Sequence, residues 1–421
     1  MDLERHNSNI RRGLETELWS LTKNSKGYAC GDIRDSDDLS RLNPFSKCLL
    51  DLGGDFEFSR NLIELRTSEE YGKDARDIEK ELIRQISLLK KIDQNKIIIG
   101  TGCYPGPDEP RIDLTESAGE KSGNMFWLEF GLAFPDLFTT RFIASSQMNV
   151  SVRDWKEKEI VEIYNVLAGI SPVLISSFST SPSLMGLNTD YWNKRQHIVS
   201  LRDKVRSNLL MENTYPLKDL EHYRQAVDSN ISRMRRVLVE KNPGFFRRDD
   251  VDPIAILRSY RGSAWGVEKL VTDQVLRINY RSNRISDLFI EVRCIDTQES
   301  PKSTAALSRL GEHIVESRKE LENIIPKDDM ELRDNLNQAI KYGPNGKLSV
   351  RGKPILMQDY SKSISEILFG RSPRDRYCEM LANRFERPPA YAIRGYIEKG
   401  GDLIEKLEKC MVNNLTLEES I

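Results

Sequence analysis

This chain of 421 residues has few of the side chains and spacings that mark common catalytic centres. Its six cysteines form no C-x-x-C pair and its four histidines are widely separated, which argues against zinc, thioredoxin-like and histidine-rich metal sites. It contains neither a G-x-S-x-G elbow nor a Walker-type phosphate loop. Residues 343–347, the nearest match to such a loop, combine Gly, Pro and Asn as a turn does. If the protein uses ATP, metal ions rather than a glycine-rich loop must hold the phosphates.

The chain also lacks an excess of either charge and any long apolar run. Its 63 basic residues nearly balance 65 acidic ones, so no global positive field favours nucleic acid as a partner. Residues 1–9 are polar, and no later run reaches the roughly 18 apolar residues that span a bilayer. We therefore expect a cytoplasmic protein with reduced cysteines and no membrane partner. Its hydrophobic content of 38% is enough for a substantial core.

What the chain does have is a set of acidic segments with the pattern of β-strands. In residues 12–18, Glu15 and Glu17 are two apart, and side chains two apart on a strand share a face. Both carboxylates can therefore converge on one point, as a hard cation such as Mg²⁺ requires. The alternative is that these residues form only the solvated face of a sheet.

Two later segments repeat the pattern. Residues 55–67 carry Glu57 and Glu64, whose odd spacing places them on opposite faces of a regular strand, so we expect a bend or bulge between them. Residues 287–296 place Glu291 and Arg293 on one strand face, with apolar residues on the other. Three such segments favour a sheet floor that holds metal over a merely solvated face.

The rest of the chain supplies elements that would cover this sheet. Residues 141–152 alternate as a central strand on which Gln147 and Asn149 share a face. Arg195 follows a polar, aromatic loop, where its planar guanidinium could clamp a carboxylate or phosphate; the alternative is an arginine on a solvated helix. Helical periodicity is found in residues 68–92, 125–134, 154–176, 216–239, 305–325, 328–340 and 400–411, and a short strand in residues 96–100.

Taken in order, these segments resemble the glutamate-cysteine ligase superfamily, whose members share the glutamine-synthetase type of fold. The resemblance lies in the motifs R-G-L-E-x-E, D-F-x-x-x-x-x-L-I-E, Q-x-N-V-S-V, S-P-S-L-x-G-x-N-T and I-E-V-R-x-x-D, which span residues 10–296. It implies an α+β fold in which a curved, mainly antiparallel sheet forms a glutamine-synthetase-like active-site funnel covered by helices. We expect a catalytic domain in residues 1–300 and a mainly helical region, residues 301–421, packed on it.

The resemblance also implies a chemistry. Ligases of this superfamily use ATP and Mg²⁺ to convert the side-chain carboxylate of glutamate to an acyl phosphate, which the amine of a second amino acid such as cysteine attacks. The substrates would be small molecules, and a homo-oligomer is left open. Two alternatives also remain open: the same chemistry with another acid, amine or peptide end, and a non-catalytic relative that binds nucleotide or amino acid and regulates a partner.

Residue by residue, the resemblance assigns roles to the acidic face. The carboxylates expected to bind metal are Glu15, Glu17, Glu57, Glu64 and Glu291. Arg293 would meet phosphate oxygens in the transition state, where a fixed cation lowers the barrier, and Glu64 would assist catalysis. Gln147, Asn149 and Arg195 would lie in the nucleotide site. Ligases of this superfamily usually carry histidine in the central strand, whereas this chain has the two amides.

Overall fold

The computed structural model describes residues 10–25, 27–30, 43–56, 59, 61–68, 70–71, 74–110, 139, 141–201, 214–241, 275–280, 288–370 and 375–420 of the chain.

One curled antiparallel sheet of half-barrel form organises the chain. Its first strand, β1 (Ile10–Asn24), runs through the centre and pairs with five others along its length. Within the described ranges the sheet contains nine strands: β1, β2 (Gly27–Cys30), β3 (Asp55–Phe56), β4 (Leu62–Arg66), β5 (Glu70–Tyr71), β6 (Lys96–Ile99), β7 (Ser146–Val152), β10 (Leu276–Tyr280) and β11 (Leu288–Val292). Their main order is β10-β11-β7-β1-β4-β3. Two small hairpins lie outside it, β8 (Ser183–Leu184) with β9 (Leu187–Asn188) and β12 (Lys347–Val350) with β13 (Lys353–Leu356).

Helices cover the sheet. In chain order they are α1 (Pro44–Asp51), α2 (Ala75–Ile92), α3 (Glu157–Ser177), α4 (Lys194–Leu201), α5 (Leu220–Lys241), α6 (Pro301–Glu316), α7 (Arg318–Glu322), α8 (Asp329–Tyr342), α9 (Met357–Phe369), α10 (Arg376–Glu386), α11 (Pro389–Glu398) and α12 (Leu403–Asn413). Helix α6 lies directly on β1 and β7, where a Cβ on Gly311 would be 2.8 Å from the sulfur of Met148. Only glycine permits so close an approach of helix to strand.

The alternation of β1 divides the core into two clusters. Leu14 and Leu18 belong to a large cluster that includes α2, α3, α6, α9 and α10. Trp19 and Leu21 point the other way, into a smaller cluster closed by α11 and α12. Glu15 and Glu17 share the parity of Trp19, so they lie on the sheet face that α11 and α12 cover further along.

Helix α3 is the one helix of the described residues that is long and apolar enough to cross a membrane, judged by length and composition. It lies in the protein core, however, with 89% of its most apolar window buried. A buried core helix explains its composition without a bilayer.

Several predicted elements are confirmed with shifted ends. The helix expected over residues 68–92 begins at Ala75, because Glu70–Tyr71 pairs with β1 and Asp74 caps the helix with its side chain. The segment expected over residues 55–67 as a strand with a bend or bulge contains two strands instead, because β3 and β4 form an antiparallel pair in which Asp55 faces Glu64. The helix expected over residues 125–134 lies outside the described residues.

The C-terminal residues contribute to both sides of the sheet. Helices α9 and α10 share the large core cluster with β1, whereas α11 and α12 close the smaller one. Sequence patterns indicated neither α9, α10 and α11 nor the hairpin of β12 and β13. The division at residue 300 stays a prediction.

Candidate active site

The predicted carboxylates of β1 and β4 meet on one face of the sheet. Glu17 is the direct cross-strand partner of Glu64, and Glu15 lies two residues earlier on the same face. Leu14 and Leu18, on the opposite face, are buried in the core and fix the register. A slip of one residue would turn both carboxylates into that core.

Glu64 is the most strongly perturbed member of this group. Its side chain is 5% exposed and forms an ion pair with Arg66, which also lies 3.3 Å from Asp55. Burial, followed by the negative charge of Glu15, raises the pKa of Glu64 to about 8, against the opposing effect of Arg66. The carboxylates are thus close enough to repel one another.

Glu17 is held by strand β7 and the residue before it. Its carboxylate accepts hydrogen bonds from the Ser145 backbone nitrogen at 2.6 Å, the Ser145 hydroxyl at 3.1 Å and the Gln147 amide at 3.3 Å. Burial raises the pKa of Glu17, while the charges of Arg195 and Arg293 act in the opposite direction. Ser145 was not predicted, although its spacing of two from Gln147 already placed it on the same strand face.

Glu291 and Arg293 lie side by side, as their spacing predicted. The Arg293 guanidinium contacts the Glu291 carboxylate and donates to Gln147 Oε1 at 3.0 Å. Gln147 therefore links the guanidinium to Glu17, and Asn149 Nδ2 similarly reaches Glu15 Oε1 at 3.4 Å. The two amides predicted on β7 thus join the acidic strands β1 and β11.

Strand β10 supplies two further residues that sequence reasoning missed. Asn279 donates a hydrogen bond to the Glu291 carboxylate, and Arg277 Nη1 lies 3.5 Å from the same carboxylate. Both are buried, and both reach Glu291 because β10 and β11 pair in antiparallel register. Arg277 and Asn279 are two residues apart, as Glu15 and Glu17 are, so they share a face of their strand.

Arg195 contacts the backbone that follows strand β11. It is 5% exposed, so the alternative of an arginine on a solvated helix is wrong. Its Nη2 donates to the Arg293 carbonyl at 2.9 Å and its Nη1 to the Ile295 carbonyl at 3.4 Å, beside the Asp296 carboxylate at 3.6 Å. These contacts fix the backbone that carries Arg293, and a direct contact of Arg195 with nucleotide stays a prediction.

Asp296 anchors that support. It is fully buried, and its Oδ2 accepts from the Thr180 backbone nitrogen at 2.9 Å, the Ser181 hydroxyl at 2.5 Å and the Asn193 amide at 3.2 Å. Both loops that flank β8 and β9 are thereby tied to the end of β11. The D of the I-E-V-R-x-x-D motif is therefore a structural anchor of the site.

Of the predicted residues, the structure brings together Glu15, Glu17, Glu64, Gln147, Asn149, Glu291 and Arg293, with Arg195 beneath them. Glu57 lies outside the described residues. Over the described part of the chain, no three or more His, Cys, Asp or Glu side chains are arranged as a ready metal site. The carboxylates nevertheless fit a hard divalent cation in donor type and charge, because such an ion would offset the burial and the like-charge repulsion that together raise the pKa of Glu64.

The fold is similar to that of solved ligases. The glutamate-cysteine ligase of Francisella tularensis, solved in complex with AMP, superposes with a TM-score of 0.67 at 14% identity, covering 98% of this chain and 90% of that one. A bifunctional glutathione synthetase from Pasteurella multocida gives 0.63 at 9% identity, covering 97% of this chain and 53% of that one. No match is found among curated protein sequences. These likenesses confirm the predicted fold.

The sequence itself identifies the family. The model of glutamate-cysteine ligase family 2 (GCS2) matches residues 136–362, more than half of the chain. The matched region includes Gln147 and Asn149 of β7, the Arg195 support, and Glu291 with Arg293. The resemblance inferred from short motifs is thereby confirmed, and the chain belongs to glutamate-cysteine ligase family 2.

Proposed function

We propose that this chain is an ATP-dependent carboxylate-amine ligase that joins glutamate to an amino acid, most simply cysteine, as a γ-glutamyl amide. The proposal rests on one observation: Gln147 connects two groups of charged residues on the same sheet face. One group is Glu15, Glu17 and Glu64, and the other is Glu291 with Arg293. Membership of the family supports a ligase, and the AMP bound by the Francisella relative supports a nucleotide substrate.

The reaction brings two anions together, and this explains the charges of the site. Bound Mg²⁺ would neutralise the phosphates and orient the transferring phosphoryl group, and the residues proposed to hold it are Glu15, Glu17, Glu64 and Glu291. Glu57, also predicted as a ligand, lies outside the described residues. The carboxylates are held on rigid strands, so little reorganisation is needed when substrates arrive.

Two bond exchanges complete the proposed reaction. An oxygen of the glutamate side chain attacks the γ-phosphorus of ATP, and the bond from that phosphorus to the β,γ-bridging oxygen breaks to release ADP. The amine nitrogen then attacks the acyl carbon, the carbon–oxygen bond to phosphate breaks, and the amine proton passes to solvent. Arg293 is fixed by Gln147 and Glu291 and would present its planar guanidinium to the moving phosphoryl oxygens.

The test is phosphate release from ATP and Mg²⁺ with glutamate and each amino acid in turn. Cysteine-dependent release supports glutamate-cysteine ligase activity, whereas release only with another amine assigns the same chemistry to that substrate. Glu291→Gln should abolish the release, and Glu398→Gln, at an exposed carboxylate on α11, should not change it. If no combination of acid and amine causes phosphate release, the proposal is overturned and a non-catalytic relative is favoured.

A further inference from the structure

A cavity of about 430 Å³ lies between α11 and α12, at the C-terminal end of the described chain. Residues of both helices and of the turn between them line it. None of the residues assigned to the acidic face lines the cavity. Its volume falls in the range of small-molecule pockets.

Lys406 is the most buried of the lysines that line this cavity. It is 6% exposed, and its Nζ lies 5.5 Å from the centroid of the Tyr396 ring. Over the described residues it forms no ion pair with a carboxylate. Burial lowers the pKa of Lys406, as does the neighbouring charge of Lys409, while Cys410 and Glu418 act in the opposite direction. A buried cation of this kind is costly unless an anion compensates it.

Two more lysines line the same space. Lys399 lies in the turn after α11, and Lys409 lies three residues after Lys406, on the same side of α12. Neither forms an ion pair with a carboxylate among the described residues, and the one acidic residue in the lining is Glu405. The lining therefore has an excess of two positive charges, and a concave surface of one sign concentrates ligands of the other.

Gly395 keeps the cavity open from the side of α11. It lies inside the helix, where glycine costs about 1 kcal/mol relative to alanine. A Cβ at this position would meet nothing within 4 Å, so no tight packing requires the glycine. The missing side chain instead leaves room beside Lys406.

We propose that this cavity binds a small anion through phosphate or carboxylate oxygens, with Lys399, Lys406 and Lys409 as its donors. Lys406 provides the desolvated charge, and Lys399 and Lys409 add two more cations to the cavity lining. The site goes beyond the proposed ligase reaction and does not depend on it.

Isothermal titration calorimetry on the full chain tests the proposal. Inorganic phosphate and citrate are titrated separately, in saturating ADP so that phosphate-binding groups of the proposed nucleotide site are already occupied. Saturable binding of phosphate alone assigns a phosphate ligand, and stronger binding of citrate assigns a polycarboxylate. Lys406→Met should weaken the binding at least tenfold, whereas Lys353→Met, which removes an exposed lysine on β13, should not change it.

A second variant guards against a folding defect in Lys406→Met. Gly395→Leu places a helix-favouring side chain in the open space, so it should abolish binding without lowering the melting temperature. The proposal is overturned if neither probe binds saturably, or if both variants bind as the wild type does. Because binding is measured without turnover, absence of ligase activity would refute the proposed function and leave this result intact.

Discussion

Replacing Glu64 with Gln should make the protein more stable at alkaline pH. Glu64 is buried opposite Glu17 and beside Glu15, with Arg66 as its cationic partner. Burial and the neighbouring charges raise its pKa from 4.5 to about 8, so the folded state resists ionisation of this carboxyl. Glutamine has nearly the shape of the protonated acid and carries no charge at any pH.

The sign and size of the effect come from proton linkage. Below pH 4.5 the carboxyl is protonated in both the folded and the unfolded chain, so Glu64 makes no difference to stability. As the pH rises towards 8, the unfolded chain loses this proton and the folded chain keeps it, so the wild type loses stability. The interval from 4.5 to about 8, at about 1.4 kcal/mol per pH unit, corresponds to about 5 kcal/mol.

Chemical unfolding of wild type and Glu64→Gln between pH 4 and pH 9, in a chelating buffer, measures this difference. The free energies of unfolding should agree at the acidic end and diverge in favour of the variant up to about 5 kcal/mol above pH 8. Glu398→Gln, on the exposed face of α11, should follow the wild-type curve. Parallel curves for wild type and Glu64→Gln would show that burial and the neighbouring carboxylates do not raise the pKa of Glu64, and would refute the reasoning.

Three further predictions concern the acidic face and its support. Glu15→Gln should abolish phosphate release while circular dichroism and melting temperature stay close to wild type, because a carboxylate that faces the proposed metal site adds little to packing. Retained turnover would remove Glu15 from the proposed site. Arg293→Lys should lower kcat by tenfold or more with little change in KM for ATP, since lysine cannot present a planar fork to the phosphoryl group; an equal kcat would contradict that role. Asp296→Asn should lower the free energy of unfolding by about 3–5 kcal/mol, because it leaves Arg195 buried beside a neutral group. The double variant with Arg195→Met should recover part of this loss. Urea unfolding measures both, and additive losses would contradict an interaction between Arg195 and Asp296.

Local periodicity was enough to predict much of the acidic face. The spacing of two between Glu15 and Glu17, and between Glu291 and Arg293, fixes a common face whatever the rest of the fold does. The same rule correctly placed Gln147 and Asn149 together. Helix α2 was predicted because its apolar residues recur at three and four positions, and only its start was misplaced, by seven residues.

What could not be predicted depends on contacts between distant parts of the chain. Asn279 becomes a partner of Glu291 only through the register of β10 against β11. Arg195 lies in a sequence that is typical of a surface helix. Its burial results from contacts with Asp296 and with the backbone carbonyls after β11, which are distant in sequence. A bend was expected in residues 55–67, but the full reversal between β3 and β4 could not be predicted because the connection carries no strong turn signal.

The central position of β1 has a consequence for how the protein is made. The strands that complete its sheet include β7 and, through β7, β11, which is synthesised more than two hundred residues after β1. Until then the nascent chain exposes long unpaired strand edges, which invite pairing with other chains. Folding dominated by such distant pairings is slow. Efficient production should therefore depend on chaperones that shield β1 until β7 and β11 have been synthesised.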